Sequence, residues 1–135
     1  MGVSVSWDND DKTALRYDFK GRWTWQEFDA ATVEAFAMTG SVPHIVDSIS
    51  NFEIGAALPP NALFQFRRAM SKAPPNRGIT VIVGGSLFIK TMVTTFSRLN
   101  KQLGERLLIA DTLNQARTLL AARRPTLSPL SSRQN

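Results

Sequence analysis

One stretch constrains the fold more than any other: "ITVIVGGSLFIKTMV", residues 79–93. It opens with an unbroken β-branched run of the kind found in strands covered on both faces. Gly84, Gly85 and Ser86 interrupt that run, and Ile89, Met92, Phe96 and Leu99 then follow at three-four spacing. That period predicts a helix with Ser86 as its N-cap. A doubly buried strand passing straight into a helix is the repeating unit of a parallel sheet with crossover helices.

The rest of the chain supplies more such units. Val3, Val5 and Trp7 alternate with polar residues, as do Leu15, Tyr17 and Phe19, and Asp8, Asn9, Asp10 and Asp11 lie between the two runs. The pattern predicts a hairpin with one buried face. After Gly21, Thr24 stands three residues before Glu27, a capping-box spacing, and Trp25, Phe28, Thr32, Ala35 and Phe36 share one helical face that ends near Gly40. Residues 44–49 read as a short inner strand. Pro59 and Pro60 can open the next helix, whose apolar stripe is Leu63, Phe66 and Met70, and Pro74 and Pro75 stop it. Residues 106–110 read as a last strand, and Thr112 with Gln115 repeats the capping-box spacing before a helix through Ala116 and Leu120. From Pro125 onward no apolar period remains, so the reading is one domain over residues 1–124 and a disordered tail over residues 125–135. The predicted order is β-β-α-β-α-β-α-β-α, an α/β fold with a central mixed, mostly parallel sheet of about five strands and about four helices.

Composition removes several chemistries. With no cysteine the chain has no disulfide, thiolate nucleophile or thiolate metal site. A single histidine, His44, rules out a histidine-pair metal cage, and a serine triad would need it to meet Ser48 or Ser50 and a carboxylate through folding. His44 follows Pro43 at the start of a strand, where a hydrogen-bonded strand-edge role is the better account. Asp8, Asp10 and Asp11 lack the remaining ligands of an EF-hand loop and read as a solvated hairpin turn. The expectation is a non-enzyme with no metal site, cofactor or catalytic residue.

No run of about eighteen apolar residues spans a bilayer, and the start goes directly into strand-like alternation, which predicts a cytoplasmic chain without membrane insertion. The formal net charge of +5 hides a division: residues 1–60 hold four Lys/Arg against nine Asp/Glu, and residues 61–135 hold twelve against two. Opposite halves can face each other or favour head-to-tail self-association. The basic residues form no single run and accompany no nucleic-acid motif, so the reading points away from nucleic acid. Trp7, Tyr17, Trp23, Trp25 and Phe28 crowd the first third. They read as core, with an exposed aromatic patch as the second account, and a helix starting at Trp25 separates the Trp23 and Trp25 rings.

Three stretches carry a family resemblance: "IVDSISNFEI", "RRAMSKAPPNRGITVIV" and "RLLIADTLNQARTLLA". Over residues 42–122 they resemble the third strand and its loop, the helix–turn–fourth strand, and the last strand and helix of the STAS domain, the fold of bacterial anti-sigma factor antagonists. The resemblance implies a regulatory or scaffolding module that acts through protein contacts; the reading drawn from it is a homodimer that uses the Leu58–Arg68 loop–helix edge and the neighbouring Gly84–Lys90 loop, with Phe64, off the Leu63, Phe66 and Met70 stripe, beside Arg67 and Arg68. The family's phosphorylation motif, Asp-Ser-Ser/Thr-Gly, falls on Gly55-Ala56-Ala57-Leu58-Pro59-Pro60, where no hydroxyl stands, so that switch is not carried over. Asp47-Ser48 copies the dipeptide a few residues early, on the strand.

An alternative of another class starts from the Gly-Gly-Ser turn. A strand that ends there exposes backbone N–H groups at the positive end of a helix, which suits an anion. The chain would then be a small-molecule carrier or sensor, holding an anionic ligand such as a lipid or nucleotide in a helix–sheet cleft. Gly84, Gly85 and Ser86 would be donors and Lys90 would add charge. Neither a Walker loop nor a G-x-G-x-x-G fingerprint is present.

Overall fold

The computed structural model describes residues 2–85, 87–99, 101 and 106–132, with backbone alone for residues 88, 96 and 124–132. Among these, the order is β1 (Val3–Trp7), β2 (Ala14–Phe19), α1 (Trp25–Gly40), β3 (Val46–Phe52), α2 (Ala62–Met70), β4 (Arg77–Gly84), α3 (Leu87–Leu99), β5 (Leu107–Ala110) and α4 (Leu113–Ser132). This is the α/β architecture read from the sequence. The five strands lie in the order β1-β2-β3-β4-β5, with β1 antiparallel to β2 and every later pair parallel.

That sequential order fixes where the helices go. Each parallel connection steps one strand in the same direction, and right-handed crossovers then place α1, α2 and α3 on one face. The core agrees. Leu15, Tyr17, Phe19, Val46 and Phe52 pack with Phe28, Ala31 and Ala35 of α1 and with Ile89 and Val93 of α3. The opposite face has α4, whose Ala116 and Leu120 pack on Ala14, Ile49, Ile79, Val81, Val83 and Ala110. Toward β1 that second face turns polar. Arg16 pairs with Asp18 at 3.0 Å, and Asn51 donates to Asp18 at 2.9 Å.

Local chemistry sets the element ends. Thr24 caps α1 with the reciprocal capping box that its spacing predicts, and Glu27 also accepts from the Gly2 N–H at 2.9 Å. At α4 the box is altered: Thr112 accepts from the Gln115 N–H at 3.1 Å, but Gln115 reaches back to the Asp111 N–H at 2.6 Å. β3 starts at Val46 rather than residue 44 and runs on to Phe52, because Asn51 and Phe52 still pair with β2 on one side and β4 on the other. α2 begins after Asn61, later than the two prolines. Asn61 sits at φ 66, a left-handed conformation that asparagine tolerates, and its side chain makes no cap bond. The preceding loop is instead held by two indoles, Trp23 donating to the Ala57 carbonyl and Trp25 to the Pro60 carbonyl at 2.7 Å.

Two further expectations change, and the last helix is longer than its apolar period. Leu99 is exposed, and α3 buries Ile89 and Val93, its neighbours one helical turn apart. The Trp23 and Trp25 rings are not separated by the start of α1: they meet edge to face, 4.8 Å apart, because Trp23 folds back onto the Phe19–Phe52 stack. α4 continues past residue 124 to Ser132 with Pro125 and Pro129 inside it, each lacking the N–H that a helix interior uses.

Candidate functional site

The register of the sheet shows why its helix-covered face is not solidly packed. Parallel pairing lines up Leu15, Ser48, Thr80 and Leu107 in one cross-strand row and Tyr17, Ser50 and Ile82 in the next. Three small hydroxyl residues therefore occupy the middle of a face whose neighbours are large and apolar. Opposite them, α1 contributes Ala35 and α2 contributes Ala69. The stripe of α2, Leu63, Phe66 and Met70, is only half-buried. Interiors normally pack to crystal-like density, so a shortage of side-chain volume on both walls leaves a void.

The void is a cavity of about 140 Å³ between the sheet and α1, α2 and α3. Its walls are mostly apolar, with Phe28, Phe66, Ile82, Ile89 and Val93 among them. The polar groups in it are ordered. Ser48 and Thr80 share a 2.8 Å hydrogen bond, and Tyr17 donates to Thr32 at 3.0 Å. Burial pushes the Tyr17 phenol up to about 12 despite its bond with Thr32. The Ser50 hydroxyl lines the cavity without a partner among the described residues. At the end nearest the start of β4 and β5, Ala73, Pro74, Arg77 and Leu107 form the wall. Arg77 is half-buried there. Desolvation first, and then the nearby positive charge of Arg106, push its pKa down. Neither guanidinium has a carboxylate partner among the described residues.

The residues singled out from the sequence are dispersed. Gly84 and Gly85 do not line the cavity and lie at the other end of β4, with φ 71 and 80. A Cβ on Gly84 would come within 2.5 Å of the Phe52 carbonyl oxygen, and one on Gly85 within 3.0 Å of Ile89. Both glycines therefore meet a conformational and packing demand whether or not an anion binds. Ser86 lies outside the described residues. Lys90 is 3.5 Å from Asp111, so its charge is already faced. On the edge assigned to a partner, Phe64 is 63% exposed, Leu58 packs against the core, and Arg68 reaches Asp29 on α1 at 3.5 Å. Arg67 is exposed on the same helix.

His44 is exposed in the loop before β3, with Nε2 2.8 Å from the Lys12 carbonyl oxygen, a hydrogen-bonded role as expected but off the strand itself. Asp8 is not a solvated turn residue: its carboxylate is 4% exposed and meets Arg16 and Arg117, each at 2.9 Å. Among the described residues no group of three His, Asp or Glu side chains could hold a metal ion, and no helix is long and apolar enough to cross a membrane.

Sequence reasoning missed Ser50, Thr80 and Arg77. The signal for Ser50 was available: in "VDSISNF" the alternate residues Val46, Ser48, Ser50 and Phe52 share a face, and two serines between large apolar neighbours mean missing volume. Thr80 was hidden inside a β-branched run that reads as fully apolar. Set against known proteins, the chain matches no family model, no curated protein and no solved structure.

Proposed function

We propose that this chain is a non-enzymatic carrier or sensor, a STAS-like domain that holds a small, largely apolar molecule in the cavity beneath α2. The observation that carries this reading is the void of about 140 Å³ with apolar walls and hydroxyls at fixed places, the usual composition of a ligand site. An engineered cavity of ~150 Å³ takes a benzene ring, so the space suits a group of that size. The unpartnered Ser50 hydroxyl offers such a group one directional contact. On this reading the ligand sits in the cleft, whose lining residues Phe52 and Ile89 are the ones that Gly84 and Gly85 approach.

The test is to fill the space. Ser50→Leu places an apolar side chain in the cavity. It should raise stability by about 0.5–2 kcal/mol, the usual gain from cavity filling, and abolish the thermal stabilisation that 1-octanol gives the wild type. If neither 1-octanol nor octanoate, its carboxylate analogue, moves the wild-type midpoint, the cavity is not a ligand site.

A second reading rests on Phe64, a large aromatic side chain 63% exposed on α2 beside Arg67. Such a residue suits a protein contact, including one between two copies of this chain. Phe64→Glu should then lower self-association while leaving the thermal midpoint near wild type. A large fall in the midpoint with unchanged assembly would assign Phe64 to packing alone.

A further inference from the structure

Resting on the cavity reading, we infer that the ligand is an amphiphilic monoanion, a carboxylate with a short apolar tail, whose head meets Arg77 and Arg106 at the start of β4 and β5 while its tail fills the cavity.

The inference starts from an unbalanced charge. Arg77 lines the cavity wall and is half-buried, yet it has no ion pair or side-chain hydrogen bond among the described residues. A buried cation is ordinarily paired, because removing it from water is unfavourable unless an anion or acceptor replaces the lost solvent. Here the charge that acts on it is another cation, that of Arg106. Arg106 immediately precedes β5, and its carbonyl accepts the Thr80 N–H at 2.7 Å, which ties it to the strand that Arg77 opens. Burial and the Arg106 charge both disfavour the charged form of Arg77. Two guanidiniums at adjacent strand starts, neither in an ion pair among the described residues, leave a position that an anion would occupy favourably.

Tail chemistry follows from the wall. Phe28, Phe66, Ile89 and Val93 give the tail an apolar wall, the Ser48–Thr80 pair satisfies itself at 2.8 Å, and Asp47, the carboxylate in the same lining, accepts the Ile79 N–H at 2.8 Å. Ser50 and Thr39 remain to contact a polar atom along the way. A volume near that of a benzene-sized cavity limits the tail to about six to eight carbons, straight or ringed. For the head, a planar carboxylate matches the planar fork of a guanidinium and can bond to it through both oxygens. A nucleotide fits the opposite way round, since its bulk is polar and its charge greater than one.

The experiment is calorimetric titration at low salt with octanoate and with 1-octanol, which share a tail and differ in charge. Wild type should bind octanoate at least tenfold more tightly than 1-octanol. Arg77→Gln should bring the two probes to within about threefold, chiefly by weakening octanoate. Because it removes an unpaired half-buried cation, Arg77→Gln should also unfold no earlier than wild type. Should that variant fail to fold, Arg106→Gln, on an exposed residue, carries the same comparison. Ser50→Leu keeps both arginines and should lose octanoate binding, which separates the cavity from general attraction to a basic surface.

Equal binding of the two probes by wild type would overturn the anionic head while leaving the cavity reading intact. Octanoate binding that survives Ser50→Leu would place the anion elsewhere and overturn the inference. Binding of neither probe would remove the cavity reading and this inference together.

Discussion

Tyr17 shows what a single residue under the helices has to satisfy. It is the only tyrosine in the chain, it lies in the hydrophobic cluster beside Phe19 and Phe28, and its hydroxyl donates to Thr32. With the phenol pushed up to about 12 in the fold, the unfolded chain ionises first as pH rises past 10. Stability is therefore intact below pH 10 and falls between pH 10 and 12, by on the order of 2–3 kcal/mol at the upper end. A single tyrosine makes this directly measurable, because the tyrosinate absorbance reports on one site. Its midpoint should lie near 12 while circular dichroism stays native, and Tyr17→Phe should lose less stability than wild type over the same interval. A midpoint near 10 in a folded sample would mean that the ring is solvated. The contrast with Ser50 is instructive: both face the same side of the sheet, but only the tyrosine hydroxyl has a partner among the described residues.

Elements were legible where one physical rule acts alone. The run at residues 79–83 lies inside β4, Thr24 and Glu27 form the α1 cap, and the Leu63, Phe66 and Met70 stripe lies under α2. They were illegible where tertiary contacts decide. The start of α2 depends on Asn61 taking a left-handed conformation after a loop fixed by two indoles from 35 residues away in one case and 34 in the other. The cavity depends on the β3–β4 register, which sets Thr80 beside Ser48 and Ser50 although neither strand alone shows it. At the Gly84–Gly85 corner, sequence spacing does not reveal how closely Gly84 approaches Phe52. With φ 71 and a Cβ contact of 2.5 Å to backbone, Gly84→Ala should destabilise by about 1–3 kcal/mol. Gly85→Ala meets only the Ile89 side chain and should be milder. Chemical denaturation at constant slope measures both. Neither variant should change octanoate affinity, and a selective loss of affinity at Gly85 with unchanged stability would return the anion site to this turn.

At the scale of the molecule, sequential strand order leaves one sheet face with three helices and the other with α4, so the attachment of α4 matters to the whole. Part of that attachment is apolar, through Ala116 and Leu120. Part is ionic, and it joins the acidic first half of the chain to the basic second half: Arg117 on α4 donates to Asp8 at the end of the β1 hairpin, through Nε at 3.0 Å and Nη2 at 2.9 Å. Burial acts to raise the Asp8 pKa, but hydrogen bonds and charge from Arg117 and then Arg16 outweigh it, and the carboxyl is held below its ordinary range. A depressed folded-state pKa adds stability above the unfolded value, near 3.9, and that stability disappears as pH falls through the folded value. Asp8→Asn should therefore lower stability by about 1–3 kcal/mol at pH 7, the range for charge-assisted hydrogen bonds. The gap to wild type should narrow steadily below about pH 4 as the native carboxylate is protonated. Urea titrations of both proteins from pH 7 to pH 2.5 measure that gap directly. A gap that stays constant across the whole range would mean that Asp8 contributes by shape and neutral hydrogen bonding, and that the two halves of the chain are not held together by charge at this point.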